Sequence, residues 1–503
     1  MTPHFRLHHL LEQQLPERAD RIAIADDTGT WTYASLWSDT QALARHMRAA
    51  GVVGGDRVLV VGESSAAQLA AVFACSILDA WAVVANARLT AAELANIERH
   101  CGPRMVLATS SVSEDASKHA LARAASAVAF GALSLHATPA DAAAVAEAVE
   151  PNAADQVAVL IYTTGTTGAP KGVMLTHQNL GFSAAGSREA RATTSTDVVC
   201  TALPVSHVFG LTSVALAALG AGAQLKMHAR FDAGQTMEAL SEATFFHGVP
   251  AMYVRLTEMV EAGTPLRAPR LRFLHCGGAA LDPSLKQRVE RAFGLPICNG
   301  YGMTETSPTV SSARYGVYRH DLSVGYLVEG VQARIVDENG QPVAPGASGE
   351  LQVRGPNVMK GYYRAPEQTQ EVLLPDGWLK TGDILRQDPD GALFVMGRLK
   401  DLIIRAGFNV YPVEVEAVLN ALPGVSQSCV VGRALEGDEQ VIAFVESQPG
   451  VTLCIEALQA QVREKLVAYK RPQRIVVIDK LPAAQSGKIL KHQVKQLAAQ
   501  LPL

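Results

Sequence analysis

The stretch "YTTGTTGAPKGVMLTH", Tyr162 to His177, holds four Thr, three Gly and a Lys in its first eleven residues and then turns apolar. Gly165, Gly168 and Gly172 let backbone N–H groups come close to an anion. The hydroxyls of Thr163, Thr164, Thr166 and Thr167 add donors, and Lys171 adds positive charge. That is the inventory of a polyphosphate cradle. It departs from the G-x-x-x-x-G-K-[ST] loop, because Gly172 stands where the Ser or Thr would be. A flexible Gly/Thr linker is the plain alternative. Against it, the loop directly follows the apolar strand "DQVAVLIY" (155–162) and resumes in "GVMLTH" with no drift into low complexity. A strand, a loop and a helix from about Gln178 are expected.

Upstream, apolar strands alternate with helical patterns. "GDRVLVVGE" (55–63) has a strand core, 66–80 is helix-like, and "AWAVVAN" (80–86) returns to strand. "RLTAAELANIERH" (88–100) is a helix with Thr90 as N-cap and Glu93 three residues on, and "PRMVLAT" (103–109) is a strand. This alternation predicts an α/β fold with a parallel sheet covered by helices. Residues 110–150 are Ala- and Ser-rich with weak signals and are expected to be a surface passage. After about 310 the pattern changes. "QARIVDENGQPVAPGASGELQVRGPNVMKGYY" (332–363) reads as short strands with Gly and Pro turns, a small β subdomain. The last stretch of about 105 residues reads as a compact α+β domain, with a hairpin-like pair, a helix from about Pro412, two strands and an amphipathic helix at 454–469.

A length of 503 residues with 48% hydrophobic and 18% charged residues suits a soluble protein of at least two domains. A formal net charge of -4 gives no basic excess for nucleic acid. The seven Cys lie far apart without metal-ligand spacing, which fits reduced thiols of a cytoplasmic protein. The N-terminus has no signal-peptide core. The apolar run 66–85 contains Asp79 and is read as a buried helix leading into a strand, not a transmembrane segment.

Further stretches share the chain with the cradle: "NGYGMTET" (299–306), "KGYY" (360–363), "WLKTGD" (378–383), "GRLKDLIIRAGFNVYPVEVE" (397–416) and "SGKILK" (486–491). In this order and spelling, nearly the whole chain resembles the adenylate-forming superfamily of acyl-CoA synthetases, luciferases and peptide-synthetase adenylation domains. The resemblance implies an N-terminal adenylation domain over 1–398, with the β subdomain at about 311–398, and a small mobile C-terminal domain over 399–503, with a hinge at Lys400.

It also implies two half-reactions. A carboxylate attacks the α-phosphorus of ATP and expels pyrophosphate, and a thiol, usually that of CoA, then takes the acyl group. ATP, Mg²⁺ and CoA are the implied co-substrates and metal. By the same resemblance, residues 163–171 hold the β- and γ-phosphates, Thr304 binds the α-phosphate, and Glu305 is the Mg²⁺ ligand. Tyr301 stacks on adenine between Gly300 and Gly302, with Gly277, Gly278 and Ala279 lining that pocket. Asp383 and Arg398 take the ribose hydroxyls, and Lys488 bridges the carboxylate and the α-phosphate. Gly407 and Phe408 line a pantetheine tunnel once the small domain rotates.

The acid pocket implied by the resemblance uses His207 beside the carboxylate, the small residues Gly210, Gly248, Gly278 and Ala279, and the apolar Phe209, Phe246, Val249 and Met303. Such a slot favours a fatty or aromatic monocarboxylate. Arg255 leaves a second possibility open, since "GVPAMYVRL" resembles a segment of malonyl-CoA synthetases in which an Arg pairs with a second carboxylate. On a helix it could equally pair with Glu258. A separate acyl carrier protein is the alternative to CoA. A non-catalytic binding protein predicts loss of the chemical residues, and all of them are present. A monomer or homodimer is expected.

Overall fold

Arg57–Gly62 is buried at all six positions, as a strand covered by helices on both faces must be. It pairs in parallel with Trp81–Asn86 and Met105–Ala108. Between the first two strands runs the helix Ala66–Ile77, capped by the Ser65 hydroxyl, which accepts from the Gln68 N–H. Residues 66–76 of that helix are all buried. Burial of Leu69 or Phe73 there contributes about 1.5–3 kcal/mol each. The computed structural model describes residues 2, 4–164, 170–405, 408–435, 438–448, 450–483 and 489–501.

These strands belong to an eight-stranded sheet. Its order is Gly361–Tyr362, Pro170–Thr176, Val157–Thr164, Trp81–Asn86, Arg57–Gly62, Met105–Ala108, Leu133–Ala137 and Ser126–Phe130. A nine-stranded sheet has Val198–Thr201, Phe245–Gly248, Phe273–Cys276 and Ile297–Gly302 side by side in parallel. One apolar core joins both sheets and extends into a four-stranded antiparallel sheet of Gln332–Val336, Ser348–Arg354, Leu379–Gln387 and Leu393–Arg398. The residues beyond have cores of their own, built on a three-stranded sheet of Val425–Leu435, Asp438–Ser447 and Arg474–Ile478 and on the helices Pro412–Asn420, Ile455–Lys465 and Lys491–Gln500. The architecture is a large α/β N-terminal part and a small α+β C-terminal part.

The helix Ala91–Cys101 begins at Thr90 with a reciprocal Thr90/Glu93 capping box. Three local expectations are corrected. Residues 110–150 contain a helix, Glu114–Leu121, and an antiparallel hairpin that closes one sheet edge. "PKGVMLT" is a full strand, paired antiparallel with Val157–Thr164, so a strand stands between the loop segment and the helix His177–Arg191. Gly361–Tyr362 pairs with that strand, not with the small sheet. Among the described residues no helix is long and apolar enough to cross a membrane.

Four histidines are buried or nearly so, and burial is the main cause holding each below the ordinary imidazole range: His177, His247 and His275 lie well below it, and His8 is pushed down to about 4. The unfolded chain takes up protons near pH 6.5 while these folded imidazoles do not. Stability is therefore expected to hold at neutral pH and to fall as the pH drops below about 6.5, with a slope of up to about 1.4 kcal/mol per pH unit per histidine. Thermal melts between pH 7.5 and 4.5 check this; a melting temperature flat down to pH 5 contradicts it.

Candidate active site

The cradle hairpin sets Thr163 opposite Lys171 and Tyr162 opposite Gly172. A side chain at 172 would stand 3.1 Å from the Tyr162 ring, so only glycine fits without a shift. Lys171 is half-buried, and its ammonium lies 4.9 Å over the Tyr362 ring. Tyr362 is delivered by the short strand Gly361–Tyr362, in register with Val173. Its hydroxyl donates to Glu305 Oε1 at 2.8 Å, and the Met359 N–H donates to the Glu305 carbonyl at 2.9 Å. Lys171, Tyr362 and Glu305 thus form one cluster from three distant parts of the chain.

Glu305 and the buried Thr304 sit on the 3-10 turn Thr304–Thr306, at the end of the strand Ile297–Gly302. The Thr306 hydroxyl donates to the Met303 carbonyl at 3.1 Å and to the Pro308 carbonyl at 2.5 Å, which holds the turn tightly folded. Four residues before Glu305, the Tyr301 hydroxyl donates to Asp383 Oδ2 at 2.7 Å. Asp383 faces Arg398 across two antiparallel strands, and Arg398 Nε lies 2.8 Å from Asp383 Oδ1. Asp383 is only 4% exposed, and its N–H donates to Thr381 Oγ1 at 3.1 Å. Burial, and then the Asp383 carboxylate, push the Tyr301 phenol well above its ordinary range. Gly277 is buried, whereas Gly278 and Ala279 are exposed, and Gly278 takes φ +77°, a left-handed conformation open to glycine.

On the acid side, His207 is exposed, with Nδ1 accepting from the Phe209 N–H at 3.2 Å. Phe209 opens the π-helical segment Phe209–Leu216, a geometry often found at functional sites. Its ring meets His275 edge-on, with centroids 5.6 Å apart. A Cβ at Gly210 would fall 2.3 Å from the Pro204 carbonyl oxygen, so glycine is required there. Val249 and Met303 are half-buried, and a Cβ on Gly278 would touch Val249 at 3.6 Å.

Two residues placed in this pocket from the sequence lie elsewhere. Phe246 is buried on the opposite face of its strand, edge-on to Tyr253 among Leu240, Leu256 and Leu274, because alternate residues of a strand face opposite ways. Arg255 lies on the helix Pro250–Glu261 with its side chain 67% exposed and pairs with Glu258 at 3.0 Å. Gly165, Thr166, Thr167, Gly168, Gly407 and Lys488 lie outside the described residues, as does the side chain of Thr164. Lys400 is exposed, and its carbonyl accepts from Lys495 Nζ at 3.1 Å. Phe408 is 55% exposed and stacks on Tyr469, with centroids 4.6 Å apart.

Tyr362 and Thr381 were missed at the sequence level. "KGYY" was visible as a motif, but nothing local says that its first Tyr reaches a carboxylate 57 residues away.

Residues 11–363 match the model of the AMP-binding enzyme family, and residues 414–488 match the AMP-binding enzyme C-terminal domain. The chain belongs to the AMP-binding enzyme family. A feruloyl-CoA synthase from Amycolatopsis sp is 37% identical to this AMP-binding enzyme over 473 residues, 92% of this chain and 93% of that one. The crystal structure of ATP-bound MatB from Rhodopseudomonas palustris superposes with a TM-score of 0.87 at 29% identity, covering 99% of each chain. O-succinylbenzoate coenzyme A synthetase from Bacillus subtilis, in complex with ATP and a magnesium ion, gives 0.81 at 30% identity, covering 97% of this chain and 99% of that one. This AMP-binding enzyme is an AMP-forming acid–CoA ligase, a class that uses ATP, Mg²⁺ and CoA.

The described residues fit a nucleotide with its metal. Tyr362 holds one oxygen of Glu305, and the other carries no hydrogen bond among the described residues; a single carboxylate of this kind suits Mg²⁺ shared with phosphate oxygens and water.

Proposed function

We propose that the enzyme activates a fatty or aromatic monocarboxylate to its acyl-adenylate and passes the acyl group to CoA. The observation that carries the site is the turn from Tyr301 to Glu305, tied at one end to the Asp383–Arg398 pair and at the other to Tyr362 and so to Lys171. A nucleotide laid along this turn has its ribose by Asp383 and Arg398 and its phosphates toward Thr304 and Lys171. Glu305 would hold Mg²⁺, which supplies charge neutralisation on the phosphates. Lys171 and the cradle N–H groups position the leaving pyrophosphate for in-line displacement. Lys488, carried by the C-terminal domain, stabilises charge developing between carboxylate and α-phosphate. The boundary near 398, the hinge at Lys400, and the presentation of Gly407 and Phe408 to the CoA arm belong to the same proposal.

The apolar Phe209, Val249 and Met303 and the exposed Arg255 favour a monocarboxylate, and the feruloyl-CoA synthase relative agrees with an aromatic one. The likeness to MatB keeps a dicarboxylate as the second reading. Seven free thiols, six of them buried, support a cytoplasmic setting.

The test is pyrophosphate release and thioester formation with Mg-ATP and CoA over fatty acids, benzoates, cinnamates and C3–C6 diacids. Activity on a monocarboxylate, with the same ranking of acids in Arg255→Ala, is expected. Selectivity for a diacid that disappears in Arg255→Ala would replace the monocarboxylate reading, and release without thioester would point to a carrier protein as acceptor.

A further inference from the structure

Three basic side chains that the proposed chemistry does not use, Arg191, His247 and His275, are buried in the layer behind Phe209. His275 is 3% exposed, and neither ring nitrogen has a hydrogen-bond partner among the described residues. Its position is fixed by the acid strip itself. Phe209 meets it edge-on, a Cβ on Gly300 would lie 3.0 Å from its Nε2, and a Cβ on Gly277 would lie 3.7 Å from its Cε1. His247, in register with His275 on the neighbouring strand, has its ring centroid 5.4 Å away, and its Nδ1 is also unpartnered among the described residues.

Arg191 ends the helix His177–Arg191 and is buried. Its guanidinium donates to the Ser213 carbonyl, and to the Ser213 hydroxyl at 2.7 Å. Ser213 lies about one turn along the π-helical segment from Phe209, on the same side. Among the described residues Arg191 Nε is unpartnered, and no carboxylate pairs with Arg191.

Leaving a buried donor or acceptor unpaired costs about 1–3 kcal/mol, and a desolvated guanidinium without a counter-charge costs more. The neighbours in this layer, Phe245 and Phe273, show that it packs readily with apolar rings. Burial keeps both imidazoles neutral, so each has one N–H to donate and one lone pair to offer.

We propose that Arg191, His247 and His275 form the distal end of the acid pocket, and that His275 is a specificity-determining residue that hydrogen-bonds an oxygen carried by the acid at the end remote from the activated carboxylate. This role rests on the ligase reading given above and names the substrate class within it: a carboxylic acid with a second oxygen function. A ring hydroxyl is matched by the neutral imidazoles. A second carboxylate would in addition meet Arg191 as its counter-charge.

Matched acids test this in the wild-type enzyme: 4-hydroxycinnamate against 4-methylcinnamate, and adipate against hexanoate, read as kcat/KM for pyrophosphate release. The oxygen-bearing acid is expected to win in at least one pair by about 10- to 100-fold, since a site built around a polar group rejects the analogue lacking it. His275→Leu should bring that ratio within about threefold of unity, acting on the oxygen-bearing acid alone and leaving the KM for ATP unchanged. A preference in the hydroxyl pair identifies a neutral ligand. A preference in the diacid pair identifies an anion, and Arg191→Met should then abolish it. Equal or better use of the apolar acids in both pairs by the wild-type enzyme overturns the inference, whether or not the variants fold. An unchanged ratio in a folded His275→Leu overturns it too. Release with apolar acids alone leaves the ligase reading standing, whereas no release with any acid of the wider panel removes both.

Discussion

Asp383→Ala is expected to raise the KM for ATP by about 100-fold in ATP–pyrophosphate exchange. Two hydrogen bonds from ribose hydroxyls to a carboxylate are each of the charge-assisted kind, at about 1.5–3 kcal/mol, so losing both amounts to at least two powers of ten. The carboxylate is well prepared for that work. It is almost fully buried, Tyr301 and Arg398 hold its two oxygens, and its own N–H is fixed by Thr381. Removing it also leaves the Tyr301 hydroxyl and the half-exposed Arg398 without their acceptor, so some loss of thermal stability accompanies the kinetic effect. Asp383→Asn separates the two contributions. It keeps the shape and one acceptor, and should recover most of the stability while recovering ATP affinity only in part. An unchanged KM for ATP in a folded Asp383→Ala would remove Asp383 from the nucleotide site.

Gly302→Ala should be nearly as damaging, for a steric reason. The added Cβ would lie 1.8 Å from the Pro308 carbonyl oxygen and 2.6 Å from its carbon, both backbone atoms that no rotamer change can move. The strand end or the turn after it must shift, and forced overpacking of this kind costs about 1–3 kcal/mol. What shifts is the segment holding Thr304 and Glu305. A displacement of about 1 Å at a reacting centre is enough to lower the rate about 100-fold. The expected outcome is a folded but less stable enzyme whose kcat for pyrophosphate release falls by about that factor. A variant with wild-type kcat would mean that the turn relaxes freely and that its present shape is not needed.

Much of the α/β core could be read from local pattern. "GDRVLVVGE" (55–63) reads as a strand core, and Thr90 with Glu93 spells a capping box; the structure contains both. The site's residue types were also visible. Their partners were not, because these are made over long separations: Tyr301 with Asp383, and Glu305 with Tyr362. The hairpin strand after the cradle was missed because "PKGVMLT" opens with Pro and carries an internal Gly, both poor signals for a strand. The hairpin at 126–137 was missed because Ala and Ser carry little strand preference. Phe246 was misplaced by parity alone, since one step along a strand exchanges the two faces. Arg255 was a question of helical phase that only the packed helix could answer.

The two-residue strand Gly361–Tyr362 has a mechanical consequence. It leaves the chain between two strands of the small antiparallel sheet and is stitched to the edge of the eight-stranded one, beside the cradle. The small sheet is thereby riveted to the larger one, with Tyr362 as the pin between Lys171 and Glu305. The hinge proposed at Lys400 lies beyond this rivet, just after the last strand of the small sheet, Leu393–Arg398. On that proposal, rotation of the C-terminal part would leave Lys171, Tyr362 and Glu305 in place while the second substrate is admitted.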